Sequence, residues 1–361
     1  MYRLFKISNF RCFRDLTLSK LERVNLVTGV NNVGKTALLE AIFLHCGAHN
    51  PALALKINAF RGIEAVKVEL GRWTETPWDS LFCDFDTSRS IELVGEGLPA
   101  GRRVLRLRPV RDPAELAKTG LALPHGSGRP ESPILSSETA QVLELECEEG
   151  DQRRKYHMIL DTREARAEPI PPPPPCPAFF LAARFRVPLA EDAERFGKLE
   201  VIGQQDVLLK ALQVIEPRLR RLAAVVAGGV PMLHGDIGLT RLVPLCVMGE
   251  GMVRVASLVL AIGNARDGVV LVDEIENGLH YAMLPKLWRA VAEVAGQFNT
   301  QVIATTHSRE CIVAAYSAFK AENRPTEFRL HRLDPAKDAI RAVTYDQDAL
   351  GAAIDTGLEV R

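Results

Sequence analysis

The sequence predicts an α/β fold with an antiparallel β lobe and a small helical lobe. Three observations carry it. A Gly-rich loop lies between an apolar strand-like run and an apolar helix-like run within the first 50 residues. Short strand-like pieces separated by Gly- and Pro-bearing turns fill residues 51–170. Short buried-strand runs then alternate with helical stretches to the end of the chain, the pattern of a sheet covered by helices. The expected organisation is 1–50 as the first part of the main domain, 51–170 as a β-rich insertion, and 171–361 as the second part. Within that second part, about 188–245 forms the helical lobe.

The elements follow in chain order. Residues 2–8 (YRLFKIS) alternate like a strand, and 16–28 hold a second alternating stretch ending in the apolar run Val24–Val27. The loop Gly29–Lys35 follows, and Thr36–Cys46 (TALLEAIFLHC) has apolar residues at helical spacing. In the middle, AVKVEL, SIELV, RVLRLRPV, QVLELECE and YHMIL read as strands, with a looser segment near 111–138. Pro171–Pro175 reads as a stiff linker, the alternative being a ligand for proline-binding domains. After it AFFLAA is a buried strand, 188–226 read as helices, and LVPLCVM is a strand-like run into Gly249. Residues 252–263 and 282–295 read as helices, 269–272 and 301–305 as short buried strands, and FRLHRL and IRAVTYD as final strands.

Composition removes several classes. Lys+Arg and Asp+Glu are both 45, so the chain is no strongly basic nucleic-acid binder, although a local basic groove stays open. No apolar run reaches the ~20 residues that span a bilayer. The first residues carry charges and no long apolar core, unlike a secretory signal. The seven cysteines include no CxxC pair and read as reduced core thiols of a cytoplasmic protein.

Four stretches carry chemistry. Gly29–Thr36 (GVNNVGKT) fits the phosphate-binding pattern G-x-x-x-x-G-K-S/T. Gly29 and Gly34 let the backbone curl so that amides through Asn31, Asn32 and Val33 face phosphate oxygens. Lys35 neutralises β and γ phosphates, the Thr36 hydroxyl suits magnesium, and the next helix offers its positive end. Next, VVLVDEIENGLH delivers Asp273 to the carboxyl end of a buried strand, where ligands sit in such sheets. Asp273 would hold the magnesium, and Glu274 is the candidate general base for an attacking water. In QVIATTHS, a strand ends at His307, which reads either as a structural histidine or as a contact to the γ-phosphate and water. In MGEGMVRVASLVLAIGNA, the turn Gly249, Glu250, Gly251 opens an amphipathic helix and reads either as a simple cap or as a phosphate site.

Together these stretches resemble the ABC-type ATPases, specifically the soluble RecF/SMC/OLD-like group. FKISNFRCFRDLTL followed by LVTGVNNVGKTALLEAI resembles that group's first strands and Walker A; MGEGMVR sits where it has its signature motif. DEIENGLH resembles its Walker B and D-loop, Thr306–His307–Ser308 its H-loop, and Glu359–Val360–Arg361 the ending of small OLD-like ATPases. The resemblance covers roughly 1–47 and 176–361. It implies a P-loop ATPase head that uses ATP and Mg2+. One protomer would present Walker A, Walker B and His307, and the signature turn of a second would close over the γ-phosphate, giving a homodimer through ATP. Asn277–His280 would lie at that interface, and Arg11 would contact the nucleotide.

Departures narrow the expectation. The signature turn lacks the family's serine, so the Gly249 and Gly251 amides must serve. The magnesium-sensing glutamine has no clear counterpart, Gln204 and Gln205 being the candidates. No long heptad insertion is present, and the stretch after His307 is too short for the nuclease domain of full-length OLD enzymes. The expected function is an ATP-dependent dimeric switch controlling a separate effector, a nuclease or toxin, in phage defence or genome maintenance. The alternative is RecF-like binding of DNA in repair. A transporter motor is disfavoured by the variant signature, so no membrane partner is expected.

Overall fold

A six-stranded sheet carries the Gly-rich loop; in the computed structural model its strand order is 339–345, 328–336, 24–29, 301–305, 269–272, 178–181. The structure describes residues 1–62, 76–98, 101–111, 140–161, 165–184, 186–337 and 339–361. Neighbouring strands are parallel from Phe328–Ala336 across to Ala178–Leu181, and only Ala339–Tyr345 runs antiparallel. The register pairs Val27 with Thr305 and Val272 with both Ala304 and Leu181. The strands therefore end in one row, which sets Gly29, Asp273 and Thr306 side by side at the carboxyl edge. The strand Val24–Gly29 is buried throughout, because parallel strands covered on both faces need no polar side.

The chain divides into two compact units, Met1–Leu4, Leu18–Leu39 and Cys176–Arg361 forming the first, and Phe5–Thr17 with Glu40–Pro175 the second. The N-terminal strands expected with the first 50 residues thus group largely with the β unit. In the first unit, one sheet face (Val24, Leu26, Val270, Val272, Val302, Ala304) packs on the helices Glu250–Asn264 and Leu284–Gln297. Trp288 and Phe298, both almost fully buried, fill the space between them. Burial of this apolar set supplies the main stabilisation, at about 25 cal/mol per Å² removed from water.

The second unit is a seven-stranded sheet in the order 13–19, 4–10, 91–98, 101–110, 140–149, 152–161, 165–168, antiparallel from Ile91 onward. The expected strands SIELV, RVLRLRPV, QVLELECE and YHMIL lie within it, whereas AVKVEL and most of the segment near 111–138 lie outside the described residues. Cross-strand ion pairs tie one face: Arg106 reaches Glu92 at 2.7 Å and Glu148 at 2.9 Å, and Arg108 reaches Glu144 at 2.9 Å.

Three local expectations are corrected. The helix predicted through 226 stops near Gln213, and Arg221–Ala227 is a strand paired with Val230–Asp236. Pro217 cannot continue the helix, and Gly228–Gly229, both at positive φ, make the two-residue turn that a hairpin prefers. LVPLCVM is not one strand: Val243–Pro244 pairs briefly and Leu245–Met248 is a helical turn. No cysteine is in a disulfide, but only Cys46, Cys83, Cys147 and Cys311 are buried; Cys12 and Cys246 are exposed. Among the described residues no helix is long and apolar enough to cross a membrane.

Candidate nucleotide site

The Gly29–Thr36 loop leaves the carboxyl end of a central strand and runs into the helix Lys35–Cys46. Gly29 has φ 140°, and a Cβ there would sit 2.5 Å from the Leu333 carbonyl oxygen, so no other residue fits. Lys35 Nζ donates to the carbonyls of Gly29 at 2.7 Å and Val30 at 3.0 Å. The ammonium is folded over the loop that an incoming phosphate would occupy. Burial pulls its pKa down, while Asp273, Glu274 and Glu276 pull it up. An ammonium held among these groups gains most from the negative charge of a polyphosphate.

Asp273 is the hub of the strand ends. The Thr36 hydroxyl donates to its two carboxylate oxygens at 3.0 and 3.2 Å. The Thr305 hydroxyl donates to Asp273 Oδ1 at 2.7 Å and accepts from the Glu274 amide at 2.8 Å. Thr305 is therefore a relay between the two acidic residues. No sequence motif singles it out, although a polar residue closing a buried strand opposite Val27 is a usable signal.

Glu274 has φ 50°, an uncommon conformation for a residue with a side chain and one that clusters at functional sites. Its carboxylate lies 3.5 Å from His307 Nε2, and both groups keep about two-fifths of their surface open (40% and 39%). Two further residues that the sequence reading missed hold this pair. Arg254, on the helix opened by the signature turn, donates to the Glu274 carbonyl at 2.9 Å. Glu276 Oε1 accepts from the His307 amide at 2.8 Å. Arg254 could have been noticed as a cation one turn beyond Gly251, and Glu276 as a third acid within four residues.

The remaining predicted residues divide. Asn31, Asn32, Val33 and Gly34 form the loop, with Asn32 and Gly34 at positive φ. Gly249, at φ 131°, precedes the helix Glu250–Asn264 with no side-chain cap, and Gly249 and Glu250 are exposed, so the first amides of the helix are open. Glu250 pairs with Arg186. Arg11 does not keep a free guanidinium: it binds Glu40 at 3.1 Å, the Ser80 carbonyl at 3.0 Å and Asn58 Oδ1 at 2.8 Å. Gln204 is misplaced, because it accepts from Gln297, next to the start of the strand Gln301–Thr305 and so at the opposite edge of the sheet. Gln205 stands in the same turn, just before the helix Asp206–Gln213.

The arrangement can cradle a polyphosphate and set a carboxylate and an imidazole beside it. Thr36 and Asp273 present hard oxygen donors facing one another, the chemistry that magnesium takes. Fold and site together have the features of a P-loop ATPase domain.

Comparison with known proteins agrees. Residues 160–312 match the family described as "AAA domain, putative AbiEii toxin, Type IV TA system", and residues 5–97 match a second AAA domain family. Both stretches are thus similar to AAA-type ATPase domains. A relative from Helicobacter pylori, an ATP/GTP phosphatase, is 21% identical over 339 residues, covering 86% of each chain. Among solved structures, an SMC head bound to the C-terminal winged-helix domain of ScpA aligns with TM-score 0.51 and 12% identity, covering 98% of this chain and 99% of that one. An Smc head domain with an extended coiled coil, bound to the C-terminal domain of ScpA derived from Pyrococcus furiosus, aligns with TM-score 0.50 and 9% identity, covering 98% of both. At these identities the likeness is one of fold.

Proposed function

We propose that this ATPase is an ATP-dependent dimeric switch that controls a separate effector protein. The observation that carries the reading is the row formed by Lys35, Thr36, Asp273, Glu274 and His307 at one sheet edge, together with open amides at Gly249–Gly251. The first group would bind and cleave ATP. The second would serve the nucleotide of a partner copy, with Asn277–His280 lining the same contact.

In this mechanism Lys35 exchanges the Gly29 and Val30 carbonyls for β and γ phosphate oxygens. Thr36 and Asp273 would hold magnesium, which neutralises phosphate charge when bound. Glu274 takes a proton from the attacking water as a general base. His307 orients that water and the γ-phosphate from the other side of the Glu274 carboxylate. Thr305 keeps Asp273 and Glu274 in mutual register.

The effector half of the reading draws on two supports. One matching family is described with a toxin and a type IV toxin–antitoxin system, which suits phage defence, and heads of this fold are seen bound to a separate protein. Balanced charge supports protein control over direct DNA binding. Light scattering with and without ATP and magnesium, run beside a DNA mobility shift over a salt series, tests the reading. ATP-dependent doubling of mass without a shift is expected. A salt-sensitive shift that requires ATP would instead favour the DNA-binding alternative.

A further inference from the structure

His307 is gripped twice by one short turn. Its ring faces the Glu274 carboxylate at 3.5 Å, and its backbone amide donates to Glu276 Oε1 at 2.8 Å. The two acids stand two residues apart, so both project toward the same residue. The other Glu276 oxygen, Oε2, is buried and has no hydrogen-bond partner among the described residues. A buried, unsatisfied carboxylate oxygen is costly, of the order of 1–3 kcal/mol. Such a group calls for an explanation, and the bond of its other oxygen to the His307 amide supplies one.

Other bonds fix the rest of this neighbourhood and leave the His307 amide to Glu276. The Ile275 amide bonds to the Thr305 carbonyl at 3.1 Å, and the Thr306 amide to the Val27 carbonyl at 3.0 Å. The Ser308 amide bonds to the Thr306 hydroxyl at 3.0 Å, and the Ser308 hydroxyl caps the helix Arg309–Ala321 through the Cys311 amide. His307 lies between the end of the strand and that cap. Glu276 is the side chain that fixes its backbone, and with it the direction in which the imidazole leaves the chain.

We infer that Glu276 is a positioning residue for the hydrolytic step: it pins the His307 backbone so that the imidazole stays opposite Glu274. This rests on the reading of Glu274 and His307 as the hydrolytic pair. Glu276 touches neither nucleotide nor water in this scheme and acts only through His307. Misplacement of a catalytic group by about 1 Å can cost up to about a hundredfold in rate. The Glu276→Ala variant is therefore expected to lose about tenfold in kcat with little change in ATP affinity. Glu276→Gln keeps an amide oxygen that can accept from the His307 amide, so it should turn over within about threefold of wild type.

The experiment measures kcat, KM and ATP affinity for Glu276→Ala, Glu276→Gln, His307→Ala, the Glu276→Ala/His307→Ala double variant and Glu274→Gln. The expected result is a kcat loss in Glu276→Ala, rescue in Glu276→Gln, and a double variant no slower than His307→Ala alone. Three outcomes overturn the inference: wild-type kcat in Glu276→Ala, equal damage in Glu276→Gln and Glu276→Ala, or additive losses in the double variant. If Glu276→Ala does not fold, the Glu276→Gln result decides, since a loss there of tenfold or more contradicts the scheme. The underlying reading fails separately, if Glu274→Gln hydrolyses ATP at the wild-type rate.

Discussion

The Thr36 hydroxyl lies 3.0 Å from Asp273 Oδ2, although 237 residues separate them in the chain. That contact joins the phosphate loop to the acidic strand end and makes one site from two distant stretches. Asp273→Asn removes a formal charge while keeping the oxygen that Thr36 and Thr305 address. ATP hydrolysis should fall by about a hundredfold or more, and ATP affinity should lose its dependence on magnesium. Binding titrations with and without magnesium check this; a variant still strengthened by the metal would contradict it.

Lys35→Ala should abolish measurable ATP binding. The side chain sits over the loop, bonded to two of its carbonyls, where the proposed reading puts the β and γ phosphates. Isothermal titration reads the loss directly. Unchanged affinity would remove the loop from the nucleotide site.

Gly251→Asp should leave ATP binding by the monomer intact and block closure of the dimer. A Cβ at this position meets the tip of Leu279 at 3.3 Å and the Gly278 carbonyl oxygen at an ordinary 3.8 Å, so a small shift of the Leu279 side chain accommodates it. The added carboxylate places negative charge where a partner's γ-phosphate is expected, and like charges there repel. A full dimer with ATP in light scattering would count against the signature assignment.

Buried Asp192 supplies a pH test of the helical lobe. Burial raises its carboxyl pKa to about 6, against the lowering effect of the Ser257 hydroxyl and Arg195. A raised carboxyl pKa favours the protonated folded form. Its stabilising contribution is complete below the unfolded value of 3.8 and is lost as pH rises through about 6. Asp192→Asn should therefore raise Tm by a few degrees at pH 8, with the gain fading toward pH 4. Thermal unfolding at the two pH values reads this, and an equal effect at both would contradict it.

Much of the site was legible because its parts are local. GVNNVGKT, DEIENG and TTHS each carry their meaning in a few adjacent residues, and the apolar runs before them fix the edge at which they emerge. The residues missed act across elements. Arg254 reaches from its helix to the Glu274 backbone carbonyl just past a strand end, and Glu276 reaches an amide 31 residues away. Neither contact leaves a periodicity in the sequence. The partners of Arg11 were hidden for the same reason: Glu40, Asn58 and Ser80 come from three separate stretches of the chain. The helix expected through 226 failed because charged and apolar faces persist across Pro217, and the β-branched pair Val225–Val226 with Gly228–Gly229 outweighs that pattern.

The most direct test is the oligomeric state and turnover of Glu274→Gln with ATP and magnesium. The substitution keeps the shape of a side chain that lies 3.5 Å from His307 and removes its basicity. The account predicts ATP affinity near wild type, turnover reduced by about a hundredfold or more, and a stable ATP-bound dimer in light scattering. Wild-type turnover, or a variant that binds ATP and stays monomeric, would contradict it.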